Sequence, residues 1–173
     1  MAGPRALVAV IAAASLWALT FAVGSPAMHG AATRPKCSVL TARDRILMSS
    51  LPRRIKDAVA GKNGGGVDRI ICRDVTRDRR KDMAVLIASG GPEEVNAWVV
   101  FRNKRGRWKL ALRRLRVYQA SVKVKHADLI EVSAVLLKDD DKCCPTGGYD
   151  HRRFRWKPNV GHFVVVRFWH TKP

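Results

Sequence analysis

From residue 67 onward the chain is written in short apolar runs of period two, rich in β-branched and aromatic residues, at 67–72, 83–88, 95–102, 108–117, 122–125, 129–136, 153–156 and 161–169. Successive side chains of an extended segment point to opposite faces, so such runs predict half-buried strands. Turn chemistry separates most of them: Ser89-Gly90-Gly91-Pro92, residues 103–106, Ala127-Asp128, and residues 157–161 around Pro158 and Asn159. Links this short join antiparallel neighbours, which predicts a meander. The one long irregular piece, residues 138–151, holds Asp139, Asp140, Asp141, Cys143, Cys144 and Pro145-Thr146-Gly147-Gly148. A loop of that length needs stapling to be ordered.

Upstream the period changes. Ile46, Leu47, Leu51, Ile55, Ala58 and Val59 recur at spacings of three and four, and Thr41, with Asp44 three residues on, is the expected cap. Pro52 is expected to split this helix, and the glycine-rich residues 61–66 end it. The fold class is therefore α+β: an N-terminal helix packed on a mainly antiparallel β-sheet meander. Hydrophobic residues make up 47% of the chain, too many for a disordered basic tail, and no internal repeat points to a solenoid.

Residues 1–32 read as a secretory signal peptide. Arg5 precedes 18 uncharged, mostly apolar residues, 6–23, and small residues follow at Ser25, Ala27, Gly30 and Ala32. The cleavage position stays open, and an uncleaved membrane anchor is the alternative. Residues 33–173 then form a single exported domain. Outside the cytosol Cys37, Cys72, Cys143 and Cys144 are expected to be oxidised. Three pairings are open; Cys37 with Cys72 is preferred, which leaves Cys143 and Cys144 to form a vicinal bridge. A zinc site on those two cysteines with His151 or His162 is the competing arrangement, against which adjacent thiols offer poor tetrahedral spacing. Arg34, Pro35 and Lys36 before Cys37 do not fit a lipid-attachment box.

Lys and Arg number 33 against 14 Asp and Glu, a formal net charge of +19. Arg5 is the only charged residue among 1–32, so the imbalance belongs to the domain. It is densest between Phe101 and Lys125, where no residue is acidic and ten are basic: Arg102, Lys104, Arg105, Arg107 and Lys109, then Arg113, Arg114, Arg116, Lys123 and Lys125. These are the candidate anion-binding residues, expected to meet an anionic envelope polymer or a membrane surface rather than a specific nucleic acid. Trp108, Tyr118, Phe154, Trp156 and Trp169 interleave with Arg107, Arg116, Arg153, Arg155 and Arg167. Such interleaving suits either stacked ligand rings or arginines lying over core aromatics.

Residues 74–82 place Asp74, Thr76, Asp78 and Asp82 at the first, third, fifth and ninth positions, the oxygen-ligand spacing of a calcium loop. This stretch resembles the D-x-D-x-D-G-x-x-D loops of integrin-like propellers, with Arg79 where those have glycine. The competing expectation is a hairpin turn held by aspartates on backbone amides. No nucleophile elbow, phosphate loop or H-E-x-x-H motif is present, and Ser89 reads as a turn residue. His126, His151, His162 and His170 are scattered, and Asp150 beside His151 would point to the opposite face.

Asp82-Met83-Ala84-Val85-Leu86-Ile87-Ala88-Ser89-Gly90-Gly91, Ala97-Trp98-Val99-Val100-Phe101-Arg102, Cys143-Cys144-Pro145-Thr146-Gly147-Gly148 and Arg153-Phe154-Arg155-Trp156 together give a chain that resembles actinobacterial secreted proteins. It is similar in particular to the LppP/LprE group of envelope lipoproteins. The resemblance implies an exported envelope or extracellular protein and carries over no catalytic residue. The expected function is thus non-enzymatic binding of anionic surface polymers or lipids by a monomer. An extracellular hydrolase with a dispersed site and a calcium-stabilised adaptor are the alternatives.

Overall fold

A computed structural model describes residues 36–91, 95–141 and 144–173. Helix α1 (Val39–Leu47) opens three residues earlier than the Thr41 cap predicts: Ser38 is the cap, and its hydroxyl accepts the Thr41 amide at 3.2 Å. Pro52 has no amide to donate and stands immediately before α2 (Arg53–Val59), so the expected split is present. Ala42, Ile46, Leu51, Ile55, Ala58 and Val59 are buried on one side of the pair. The Cys37–Cys72 disulfide ties the chain just before α1 to the first strand.

Eight antiparallel strands follow, β1 (Gly66–Arg73), β2 (Asp82–Ala88), β3 (Val95–Lys104), β4 (Arg107–Leu115), β5 (Tyr118–Lys125), β6 (Asp128–Ala134), β7 (Tyr149–Lys157) and β8 (His162–Thr171). They do not form one meander. Strands β1-β2-β3-β4 make one four-stranded sheet and β5-β6-β7-β8 a second. The reason lies in β2 and β3, which are apolar on both faces and therefore need a cover on both sides. Met83, Val85, Ile87, Ala97, Val99 and Phe101 face the helices. Ala84, Leu86, Trp98 and Val100 pack instead on Val122, Leu129, Phe154, Trp156 and Phe163 of the second sheet. The result is three layers, helices on sheet on sheet.

Between the sheets the chain turns at Arg116, whose φ is 58°, and the Val117 amide donates to the Asn96 carbonyl at 3.0 Å. Strand β4 thus ends at Leu115, short of the predicted 117. Two hairpins close on consecutive left-handed residues, Arg105-Gly106 and His126-Ala127, whose backbone twist matches that of paired strands. Gly90, at φ 84°, lies so close to the Asn63 carbonyl that a Cβ would sit 1.8 Å from its oxygen, so only glycine fits where the two glycine turns meet.

Candidate functional site

Residues 74–82 fold as a turn fastened by its own carboxylates. Asp74 accepts the amides of Asp78 and Arg79 at 3.2 and 2.8 Å, and Asp78 accepts that of Arg80 at 3.1 Å and the Arg102 guanidinium at 3.1 Å. Asp82 is fully buried and accepts from the amides of Val75 and Thr76, the Thr76 hydroxyl and the Asn103 amide. Burial pushes its carboxyl above the ordinary range although all four donors pull it down. Protein donors thus engage these carboxylates in the manner of an aspartate-held hairpin turn. Among the described residues no cluster of three or more His, Cys, Asp or Glu is placed to hold a metal ion.

The ten basic residues from Arg102 to Lys125 do not share a face. Lys104 ends β3 and Arg105 stands in the turn that follows. Lys109 pairs with Arg102 and Arg114 with Trp98, on the side of the first sheet that meets the second; Arg113 pairs with Val99, on the helix side. Lys123 and Lys125 are on the far side of the second sheet, since Val122 and Val124 between them point inward. Two of the ten are committed internally: Arg102 to Asp78 at 3.1 Å, and Arg114 to Glu131 at 2.9 Å. Arg107 and Arg116 are exposed at the two ends of β4.

Glu131 was not singled out by its sequence context, yet it joins the sheets. Its fully buried carboxylate on β6 accepts the Trp98 indole N–H of β3 at 2.6 Å, two nitrogens of Arg114 of β4, and Arg152 of β7 at 3.1 Å. One acid thus holds three strands from both sheets. Charged partners this well matched fix the register of the two layers more than they add net stability.

A cationic surface that takes in two of the ten, Lys123 and Lys125, lies on the outer face of the second sheet. By register this face carries Lys123 and Lys125 of β5, Ile130 and Val132 of β6, His151, Arg153 and Arg155 of β7, and Val164, Arg167 and Trp169 of β8. None of these is buried. The acid on this face, Asp128, is buried beneath guanidinium groups: Arg153 at 2.6 Å, Arg155 at 2.8 Å and, from the β1–β2 loop, Arg77 at 3.8 Å. The Arg155 guanidinium holds the Asp128 carboxyl below the usual carboxylate range against the effect of burial, and Arg153 adds to this. Asp128 in turn fixes the two arginines side by side.

Aromatic rings are largely occupied by the protein itself. Arg102 lies 4.7 Å over Trp156, Arg114 5.8 Å over Phe154, Arg152 5.0 Å over Phe168 and Arg167 5.0 Å over Trp169, while His151 stacks on Trp169 at 4.8 Å. Of the arginines that interleave with aromatics in the sequence, Arg167 lies over a ring in this set, while Arg153 and Arg155 bind Asp128, and Trp169 is contacted by both Arg167 and His151.

Asp150 pairs across to β8 with His170 at 3.1 Å and along its own strand with Arg152 at 2.9 Å, rather than with adjacent His151. Ser89 accepts the Gly91 amide within its turn. His162 contacts the Val160 carbonyl. In the long loop Asp140 accepts the amides of Leu137 and Thr146 at 2.8 and 2.7 Å, so a carboxylate supplies part of the expected stapling. Cys144 is exposed there; Cys143, on which the vicinal-bridge and zinc expectations depend, lies outside the described residues, as do residues 1–32. No helix among the described residues is long and apolar enough to cross a membrane, and the disulfide is compatible with an extracytoplasmic location. No family model, curated protein or solved structure matches the chain.

Proposed function

We propose that this is a non-enzymatic extracytoplasmic protein that binds an anionic polymer through the outer face of its second sheet. The observation that carries the reading is the concentration of Lys123, Lys125, Arg153, Arg155 and Arg167 on one unburied sheet face whose acid, Asp128, is already engaged. A sheet presents such side chains in rows about 4.8 Å apart, a spacing at which several cations can follow a charged chain at once. With Trp169 contacted by Arg167 and His151, the attraction is electrostatic rather than a stacking of ligand rings. An envelope setting, as the LppP/LprE resemblance implies, would supply such polymers.

The test is titration of the protein with linear polyphosphate across a salt series. Replacing Lys123, Lys125 and Arg167 together by Gln is expected to weaken binding at least about tenfold and to flatten the slope of log affinity against log salt. Replacing Lys104 and Arg105 by Gln at the tip of the β3–β4 hairpin is expected to change affinity less than about threefold. Equal losses in the two variants, or binding insensitive to salt, would sink the proposal.

A further inference from the structure

Each sheet of this molecule has two edge strands, and three of the four are defended in the usual way. Along β1 the exposed residues are Asp68, Arg69 and Arg73, along β4 Arg107, Lys109 and Arg113, and along β5 Lys123 and Lys125. Charge of this density on an edge discourages pairing with another chain. Strand β8 differs. It pairs with β7 alone among the described strands, runs for ten residues without proline, and reads Phe163-Val164-Val165-Val166-Arg167-Phe168-Trp169 through its middle. Val165 is 51% exposed, Val166 39% and Phe168 55%.

Apolar side chains therefore stand at an edge whose outer backbone donors and acceptors have no strand beside them among the described residues. The charges near this edge are almost all positive. Arg152 rests over Phe168 and Arg167 over Trp169, which brings both guanidinium groups to β8 itself, and Arg153 and Arg155 stand one strand behind. Asp150, the acid of this region, is bound by Arg152 and His170. A second copy of the chain would bring the exposed Arg167 against its own likeness, each on a molecule of net charge +19.

We propose that the edge of β8 accepts an extended acidic segment of another polypeptide as a fifth strand of the second sheet. Backbone hydrogen bonds to β8 would supply the pairing, apolar side chains of the guest would cover Val165 and Phe168, and carboxylates on its other face would meet Arg167. This proposal does not depend on polymer binding by the outer face, because polyphosphate has no amides with which to pair.

The experiment uses the full-length oxidised protein and a capped ten-residue peptide of alternating valine and glutamate, compared with the same peptide N-methylated throughout. The second keeps charge and side chains but has no backbone N–H. The plain peptide is expected to bind at least tenfold more tightly and to slow amide hydrogen exchange in residues 163–171. Phe168→Ser, at an exposed site where folding is not at stake, is expected to weaken it about fivefold. Equal affinity of the two peptides would reduce the effect to charge and overturn the proposal. So would sedimentation showing a peptide-free dimer that already protects β8, since the edge would then belong to a second copy.

Discussion

At the scale of single residues, two of the three buried tryptophans among the described residues, Trp98 and Trp108, stand in opposite circumstances. The Trp98 indole donates to Glu131 at 2.6 Å, whereas the Trp108 indole nitrogen is buried with no partner among the described residues. Trp98→Phe removes a donor from a buried carboxylate and is expected to cost about 3 kcal/mol, while Trp108→Phe also removes an unsatisfied group and is expected to cost at least about 1.5 kcal/mol less. Urea unfolding of the two variants checks the difference. Asp128 gives a pH signature. Its carboxyl is held low by Arg155 and Arg153, so its contribution is present above the ordinary aspartate value of about 3.9 and is lost as pH falls through its lower folded value. Asp128→Asn is therefore expected to cost about 2 kcal/mol at pH 7 and progressively less below about pH 4, measured by denaturation at each pH. Neither site could be read from the sequence. Glu131 is one acid in an otherwise ordinary strand pattern, and its partners Trp98, Arg114 and Arg152 lie 33, 17 and 21 residues away. By contrast, the spacing of 74–82 was visible in the sequence, but the same oxygens serve a metal or backbone amides, and spacing does not distinguish these uses.

At the scale of elements, local chemistry was largely legible and assembly was not. Pro52 breaks the helical stretch because it lacks an amide, and short apolar runs become strands because their period is two. The division into two sheets was hidden because the continuous apolar stretches of β2 and β3 name no partner for their second face. The disulfide bears on one layer more than the other, since it joins the chain before α1 to β1. Closing a loop of 35 residues restricts the unfolded chain. Cys37→Ala with Cys72→Ala is expected to lower stability by about 2–4 kcal/mol and to increase hydrogen exchange first in α1 and β1, with the outer face of the second sheet unaltered in its polyphosphate affinity at temperatures where the protein is folded.

At the scale of the whole molecule, net charge foretold attraction to anions but not the surface that would exert it. Lys and Arg crowd the residues between Phe101 and Lys125 in sequence, and the fold disperses them over a turn, both sides of the first sheet and the far side of the second. Arg153, Arg155 and Arg167, outside that stretch, join Lys123 and Lys125 instead, because antiparallel pairing aligns residues that are distant in sequence.

Strand order has a kinetic meaning as well. Each sheet pairs only consecutive strands, so the first can close as soon as residue 115 is available. At that moment Leu86, Trp98 and Val100 still lack their cover, which comes from residues 122–163. A chain emerging from its N-terminus thus passes through a sticky half-built stage that lasts as long as some fifty further residues take to arrive, about 3–10 s at ordinary synthesis rates.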